Sequence, residues 1–152
     1  MRALEDLAVS EFKSLHANDS AVATMEITDA KGVILQRGHN PAKRGDDKHT
    51  QPQVKAALEG KPAGGLTVSP TTGEAAEDAV RPLAPAGNVV GTIKVGSYFN
   101  GATANEIKQR TGLNVLFLSR GAVAASTFGN DRLVTVPTET LAAAKTALRT
   151  FI

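Results

Sequence analysis

The segment Arg37–His49, RGHNPAKRGDDKH, gathers Arg37, His39, Lys43, Arg44, Lys48 and His49 in a chain whose formal net charge is only +2. Residues 37–61 hold six Lys/Arg against three acids, a local excess of three positive charges. Further along, Arg81 sits in the strand-like AVRPLAP, and Lys94 and Tyr98 sit in TIKVGSY. Guanidinium and ammonium groups that converge suit carboxylates, because the planar arginine fork makes two parallel charge-assisted hydrogen bonds. The chemistry these residues suggest is therefore the holding of a small organic anion. A metal site from His39, Asp46, Asp47 and His49 is the weaker alternative, since their spacing fits no standard ligand set. Nucleophilic catalysis needs a Ser, Thr or Cys beside a base and an orienting group. With three histidines, no cysteine and no G-x-S-x-G, no such set is visible and no catalytic residue is assigned.

Composition narrows the classes. At 152 residues the chain reads as one domain with room for a core. The absence of cysteine excludes disulfides, thiolate metal sites and covalent c-type haem. A net charge of +2 argues against a nucleic-acid binder. No apolar run reaches the roughly 18 to 20 residues of a membrane span, and MRALEDLAVSEF lacks the apolar stretch of a signal peptide. No metal or cofactor is expected. The chain opens directly into a helical pattern and ends on RTFI without a stop signal, which suggests an excised piece of a longer protein.

The elements that must position these residues follow from periodicity. Leu4, Leu7, Ala8, Phe12 and Leu15 fall at helical spacing over residues 2–17. AVATMEI and VILQR flank TDAKG as a hairpin. TQPQVKAALEG reads as a short helix with Thr50 as N-cap, Gln53 three residues on, Pro52 in the first turn and Gly60 as the stop. GGLTV, AAEDAVRPL and VVGTIKVGSYF read as strands, the first two joined by SPTTGE and the last two by APAGN. A second helix is expected over 103–111, stopping at Gly112. LNVLFL and AVAAST form a hairpin, RLVTV a strand, and a final helix runs from Pro137 to Ile152. Strand alternation sets Lys94, Thr92, Gly96 and Tyr98 on one face and Ile93, Val95 and Phe99 on the other. Gly96 is expected to leave space for a ligand on the polar face. The whole reads as an α+β arrangement with a central antiparallel sheet, a long N-terminal helix and a C-terminal helix.

In that order, MEITDAKGVILQRGHNPAKRGDD, VKAALEGKPAGGL, VRPLAP, GNVVGTIKVGSYF and RTGLNVLFLSRGAVAAST resemble a Cache domain over residues 20–127. Cache domains are the extracytoplasmic, PAS-like sensor modules of bacterial chemoreceptors. The nearer likeness is to methyl-accepting chemotaxis proteins, the more distant one to citrate and C4-dicarboxylate sensor kinases. The resemblance implies a PAS-like fold, a pocket on the sheet, no catalysis and a periplasmic location. It also implies a parent protein anchored in the membrane, and a monomer or weak homodimer in isolation. In the carboxylate sensors an arginine ends the second strand in an Arg-x-x-His-Pro pattern. Aligned on Pro41, Arg37 matches, Asn40 takes the histidine's place and His39 lies one residue out of register. A second ligand arginine of those sensors has a counterpart here in Arg81, with Leu83 and Pro85 in its frame. Leu83 is apolar where the sensors carry an aromatic residue or lysine, which points to a smaller or less charged ligand than citrate. The ligand-binding residues so implied are Arg37, His39, Arg81, Leu83, Lys94 and Tyr98, with Arg81 the main anchor of a small carboxylate. Residues 1–19 then form the N-terminal helix and 20–100 the ligand-binding module. Residues 101–152 form an appended helix, hairpin and C-terminal helix.

Overall fold

The computed structural model describes residues 2–68, 73–119, 122–129, 138, 139 and 142. Helix α1 (Arg2–Asn18) is followed by β1 (Val22–Asp29), β2 (Ile34–Arg37), α2 (Pro52–Leu58), β3 (Ala63–Val68) and β4 (Ala75–Leu83). A single 3-10 turn (Pro85–Gly87) leads to β5 (Gly91–Tyr98), then α3 (Gly101–Thr111), β6 (Leu116–Ser119) and β7 (Ala122–Ser126). Five strands form one antiparallel sheet in the order β2-β1-β5-β4-β3, and β6 pairs with β7 in a separate hairpin. The α+β class and the central antiparallel sheet are as the sequence indicated. The strand expected at 132–136 lies outside the described residues. So does the helix expected from Pro137, except for Thr138, Glu139 and Ala142, which are helical. Ser69–Thr72 of the turn between β3 and β4 also lie outside them.

Period-two alternation gives the sheet two different faces. On one, Met25 and Ile27 of β1 are buried with Ala8 of α1, and Leu4, Phe12, Leu83, Ile93 and Val95 pack around them. Gly38, just past β2, lets α1 come this close. A β-carbon there would stand 2.5 Å from both the Ala8 carbonyl oxygen and the Phe12 β-carbon. On the other face α2 covers one part of the sheet, with Val54 and Ala57 buried against Val80 of β4. The segment 38–51 borders the rest, and its backbone is stitched to the outer edge of β2. Gly45 N donates to Ile34 O, Ile34 N to Asp46 O and Lys48 N to Gly32 O, each at 2.9 Å.

Two helix starts differ from expectation. Gln51, not Thr50, caps α2, and it does so without a side-chain hydrogen bond. Pro52 occupies the first turn, and Gln51 takes the extended backbone (φ −69°, ψ 126°) that a residue before proline prefers. α3 begins at Gly101 rather than Thr103, because the Asn100 side chain accepts from the backbone N–H of Ala102 and Thr103 at 3.0 and 3.2 Å.

Candidate functional site

The second face of the sheet carries most of the buried polar groups: Thr24, Glu26, Thr28, Arg37, Asp78 and Thr92. They form a chain across the strands. Arg37 of β2 donates from Nε to Glu26 of β1 at 2.9 Å. Glu26 is also 3.0 Å from the Lys94 ammonium on β5, which lies 3.4 Å from Asp78 of β4. Asp78 accepts from the Thr67 hydroxyl of β3 at 2.8 Å. One side chain from each of the five strands thus joins a single network. Beside it the hydroxyls of Thr28 and Thr92 meet at 2.8 Å.

Above this floor lies a cavity of about 530 Å³. The segment 39–51 supplies one wall through His39, Asn40, Lys43, Asp46, Lys48 and Gln51. The β3–β4 end supplies the other through Val68, Glu74 and Ala76, with Tyr98 beside them. The described lining holds four acids (Glu26, Asp46, Glu74, Asp78) and four bases (Arg37, Lys43, Lys48, Lys94), so the cavity has no large net field. Selectivity must come from individual donors. Two of the four bases are already engaged. The Arg37 guanidinium donates to Glu26, to the Lys43 carbonyl at 2.7 Å and to Asp46. Lys94 bridges Glu26 and Asp78. The ammonium groups of Lys43 and Lys48 make no ion pair or hydrogen bond with a described residue.

The electrostatics follow from these contacts. Burial pushes the Glu26 carboxyl up, but Lys94 and Arg37 outweigh it and hold it below its ordinary value. Burial pulls the Lys94 ammonium down, and Glu26 with Asp78 more than reverse this. Arg37 is raised the same way: Glu26 and Asp46 overcome its burial. Asp46 is lowered, first by the hydrogen bond from Arg37. Burial lowers His39, whose Nδ1 lies 3.1 Å from both the nitrogen and the carbonyl oxygen of Met25. Whether Nδ1 accepts the Met25 N–H or donates to its carbonyl depends on the ring tautomer, and either contact clips the segment after β2 to β1. Burial and then Glu74 raise Tyr98.

Of the residues singled out from sequence, the fold gathers Arg37, His39, Lys94 and Tyr98 at one cavity. It does not bring Arg81 or Leu83 there. The register pairs Val80 with Lys94 and Arg81 with Ile93, so Arg81 points to the opposite face, where it is exposed. Leu83 packs into the apolar cluster under α1. Gly96 leaves no free space either: Asp78 Oδ1 and Thr24 Oγ1 fill the region a β-carbon would occupy, the latter at 2.6 Å. Its small size serves the network rather than a ligand. The sequence placed Lys43 and Lys48 in the basic stretch suited to an anion without naming them as ligand-binding residues, offered Asp46 only as a metal ligand, and did not bring Glu26 or Asp78 to the site. Glu26 had a signal, the polar stripe Thr24, Glu26, Thr28 alternating with Met25 and Ile27. His49 pairs with Asp47 at 2.7 Å, both exposed, and no cluster able to hold a metal occurs among the described residues.

No family model matches the chain, and no curated protein matches it in sequence. Solved structures do. The sensor domain of the V. cholerae histidine kinase DctB matches with a TM-score of 0.60 at 14% identity, over 96% of this chain and 58% of that one. The periplasmic domain of Vibrio cholerae LuxQ matches with a TM-score of 0.55 at 18% identity, over 87% and 64%. The ligand-binding domain of the Campylobacter jejuni chemoreceptor Tlp3, solved with 4-methylisoleucine, matches with a TM-score of 0.52 at 14% identity, over 89% and 56%. The chain spans less than two-thirds of the length of each. At these identities the likeness is one of fold: the chain shares the α+β, PAS-like architecture of these sensor domains.

Proposed function

We propose that the chain is the extracytoplasmic sensing part of a membrane-anchored bacterial receptor, and that its cavity binds a small organic anion, in the first instance a carboxylate. The single observation that carries this is the cavity of about 530 Å³ on the sheet of a sensor-type fold, with the ammonium groups of Lys43 and Lys48 at its wall making no ion pair or hydrogen bond with a described residue. A carboxylate there would meet Lys43 and Lys48, with the third Lys94 N–H and the Tyr98 hydroxyl as further donors. The role is binding and signalling without turnover. The receptor is of the chemotaxis type, with a sensor kinase as the alternative, and the isolated domain is a monomer or weak dimer. No helix of the described residues is long and apolar enough to cross a membrane, so the anchor would lie elsewhere in the parent protein. Ligand size bounds affinity. At a ceiling near −1.5 kcal/mol per heavy atom, acetate reaches about −6 kcal/mol, or tens of micromolar.

A second reading has its own observation. The floor of the cavity satisfies its own charges, as expected of a vestigial pocket in a dimerising module. Thermal unfolding with a panel of mono-, di- and tricarboxylates and amino acids separates the two. A rise in midpoint with a carboxylate supports sensing of an anion. A rise only with amino acids points to a bipolar ligand matched to the four acids and four bases, and no rise across the panel supports the vestigial reading.

A further inference from the structure

Arg37 is buried on the cavity floor, and each of its three guanidinium nitrogens already has a protein acceptor. Those acceptors differ in how easily they can leave. Glu26 is on β1, its side chain 8% exposed, and it is also bound to Lys94. The Lys43 carbonyl belongs to the backbone. The Asp46 side chain is 40% exposed and stands on the segment that forms the cavity wall.

We propose that Asp46 is a built-in competitor for the ligand's carboxylate: it holds Nη2 of Arg37 and gives way to a carboxylate entering the cavity. This rests on the carboxylate reading above. The exchange replaces one carboxylate by another on the same N–H, and Glu26 continues to neutralise the guanidinium. Asp46 can turn toward water by side-chain rotation alone. Its backbone remains fastened, since Asp46 O accepts from Ile34 N and the neighbouring Gly45 N donates to Ile34 O. An intramolecular competitor acts at an effective concentration of millimolar or more, and it reduces apparent affinity by the fraction of molecules in which Arg37 is available. Asp46 therefore sets a threshold. A carboxylate that also engages Lys43 or Lys48 displaces it more readily than one that meets Arg37 alone.

The test is calorimetric titration of acetate and succinate into the parent, Asp46→Asn and Asp47→Asn at fixed ionic strength. Asp47 carries the same charge one residue along, but its side chain binds His49 and not Arg37. The expected result is at least about a tenfold gain in succinate affinity for Asp46→Asn and less than about a twofold change for Asp47→Asn. Binding by Asp46→Asn where the parent shows none supports the proposal equally. Equal gains in both variants would reduce the effect to general electrostatics and overturn it. Binding by the parent with no gain in Asp46→Asn overturns the competitor but leaves the carboxylate reading intact. No binding by any of the three overturns both.

Discussion

The two faces of the five-stranded sheet are built from alternate residues of the same strands, yet they cohere by different physics. Under α1, Met25, Ile27, Ile93, Val95 and Leu83 pack around Ala8. This cohesion is non-directional and scales with area removed from water. On the opposite face, Arg37, Glu26, Lys94 and Asp78 form a network in which each charge depends on its neighbours. Removing one apolar side chain leaves a void. Removing one charge leaves its buried partner uncompensated, which costs more. The difference teaches that a charged sheet face is not thereby a ligand face. Much of the charge here holds the sheet together, and the groups most open to a ligand are those, like Lys43 and Lys48, with no ion pair or hydrogen bond to a described residue.

The sharpest way to break the comparison is Lys94→Met. It should cost about 3–5 kcal/mol, because Glu26 and Asp78 lose their shared cation. Ile27→Ala on the apolar face should cost about 2–5 kcal/mol. Urea unfolding compares the two, and a loss under about 1 kcal/mol for Lys94→Met would show that the network adds little to stability.

Gly96→Ala should cost about 1–3 kcal/mol, since Asp78 and Thr24 must both move from the space above Gly96. An unchanged unfolding midpoint would mean the two side chains repack freely.

His39 gives a pH signature. Its folded pKa is lowered, so the unfolded chain binds the proton more readily. The stability it contributes is full above the unfolded value of about 6.5. It is lost as pH falls from there through the folded value. Unfolding free energies from pH 7.5 to 5 should decline in the parent, and His39→Gln should flatten that decline. An identical slope in both would remove His39 from the account.

The smallest effect is expected at Arg81. Arg81→Ala should shift stability by within about 0.5 kcal/mol and leave ligand affinity unchanged, because its side chain is exposed on the face away from the cavity. A loss of binding in calorimetry would show that the register does not separate Arg81 from the site.

Arg81 also marks where the sequence ceases to be legible. Helical spacing in α1, alternation in β1 and β5, and glycine punctuation at Gly60 and Gly112 were local signals, and the elements they indicated are present. Each strand could be divided into two faces from its own residues. Which face of β4 joins which face of β5 depends on register, and a one-residue slip exchanges them. Nothing local to AVRPLAP determines that Val80, and not Arg81, stands beside Lys94. The Asp46–Arg37 contact was hidden for a similar reason. It depends on how residues 40–48 lie along the edge of β2, a tertiary outcome fixed by Ile34, Gly45 and Asp46 backbone bonds. Glu26 was readable in principle, since a charged residue inside an alternating strand must find a partner or water.

The central claim is that the cavity binds a small organic carboxylate through Lys43 and Lys48. Calorimetric titration of acetate, malonate, succinate and citrate into the parent and into Lys43→Gln/Lys48→Gln tests it most directly. The account predicts that at least one carboxylate binds the parent and that the double variant, with an unchanged thermal midpoint, loses at least about tenfold in affinity for it, as expected when charge-assisted contacts worth about 1.5–3 kcal/mol each are removed. Binding of that carboxylate undiminished by the double substitution, or no binding of any of the four to either the parent or Asp46→Asn, would contradict it.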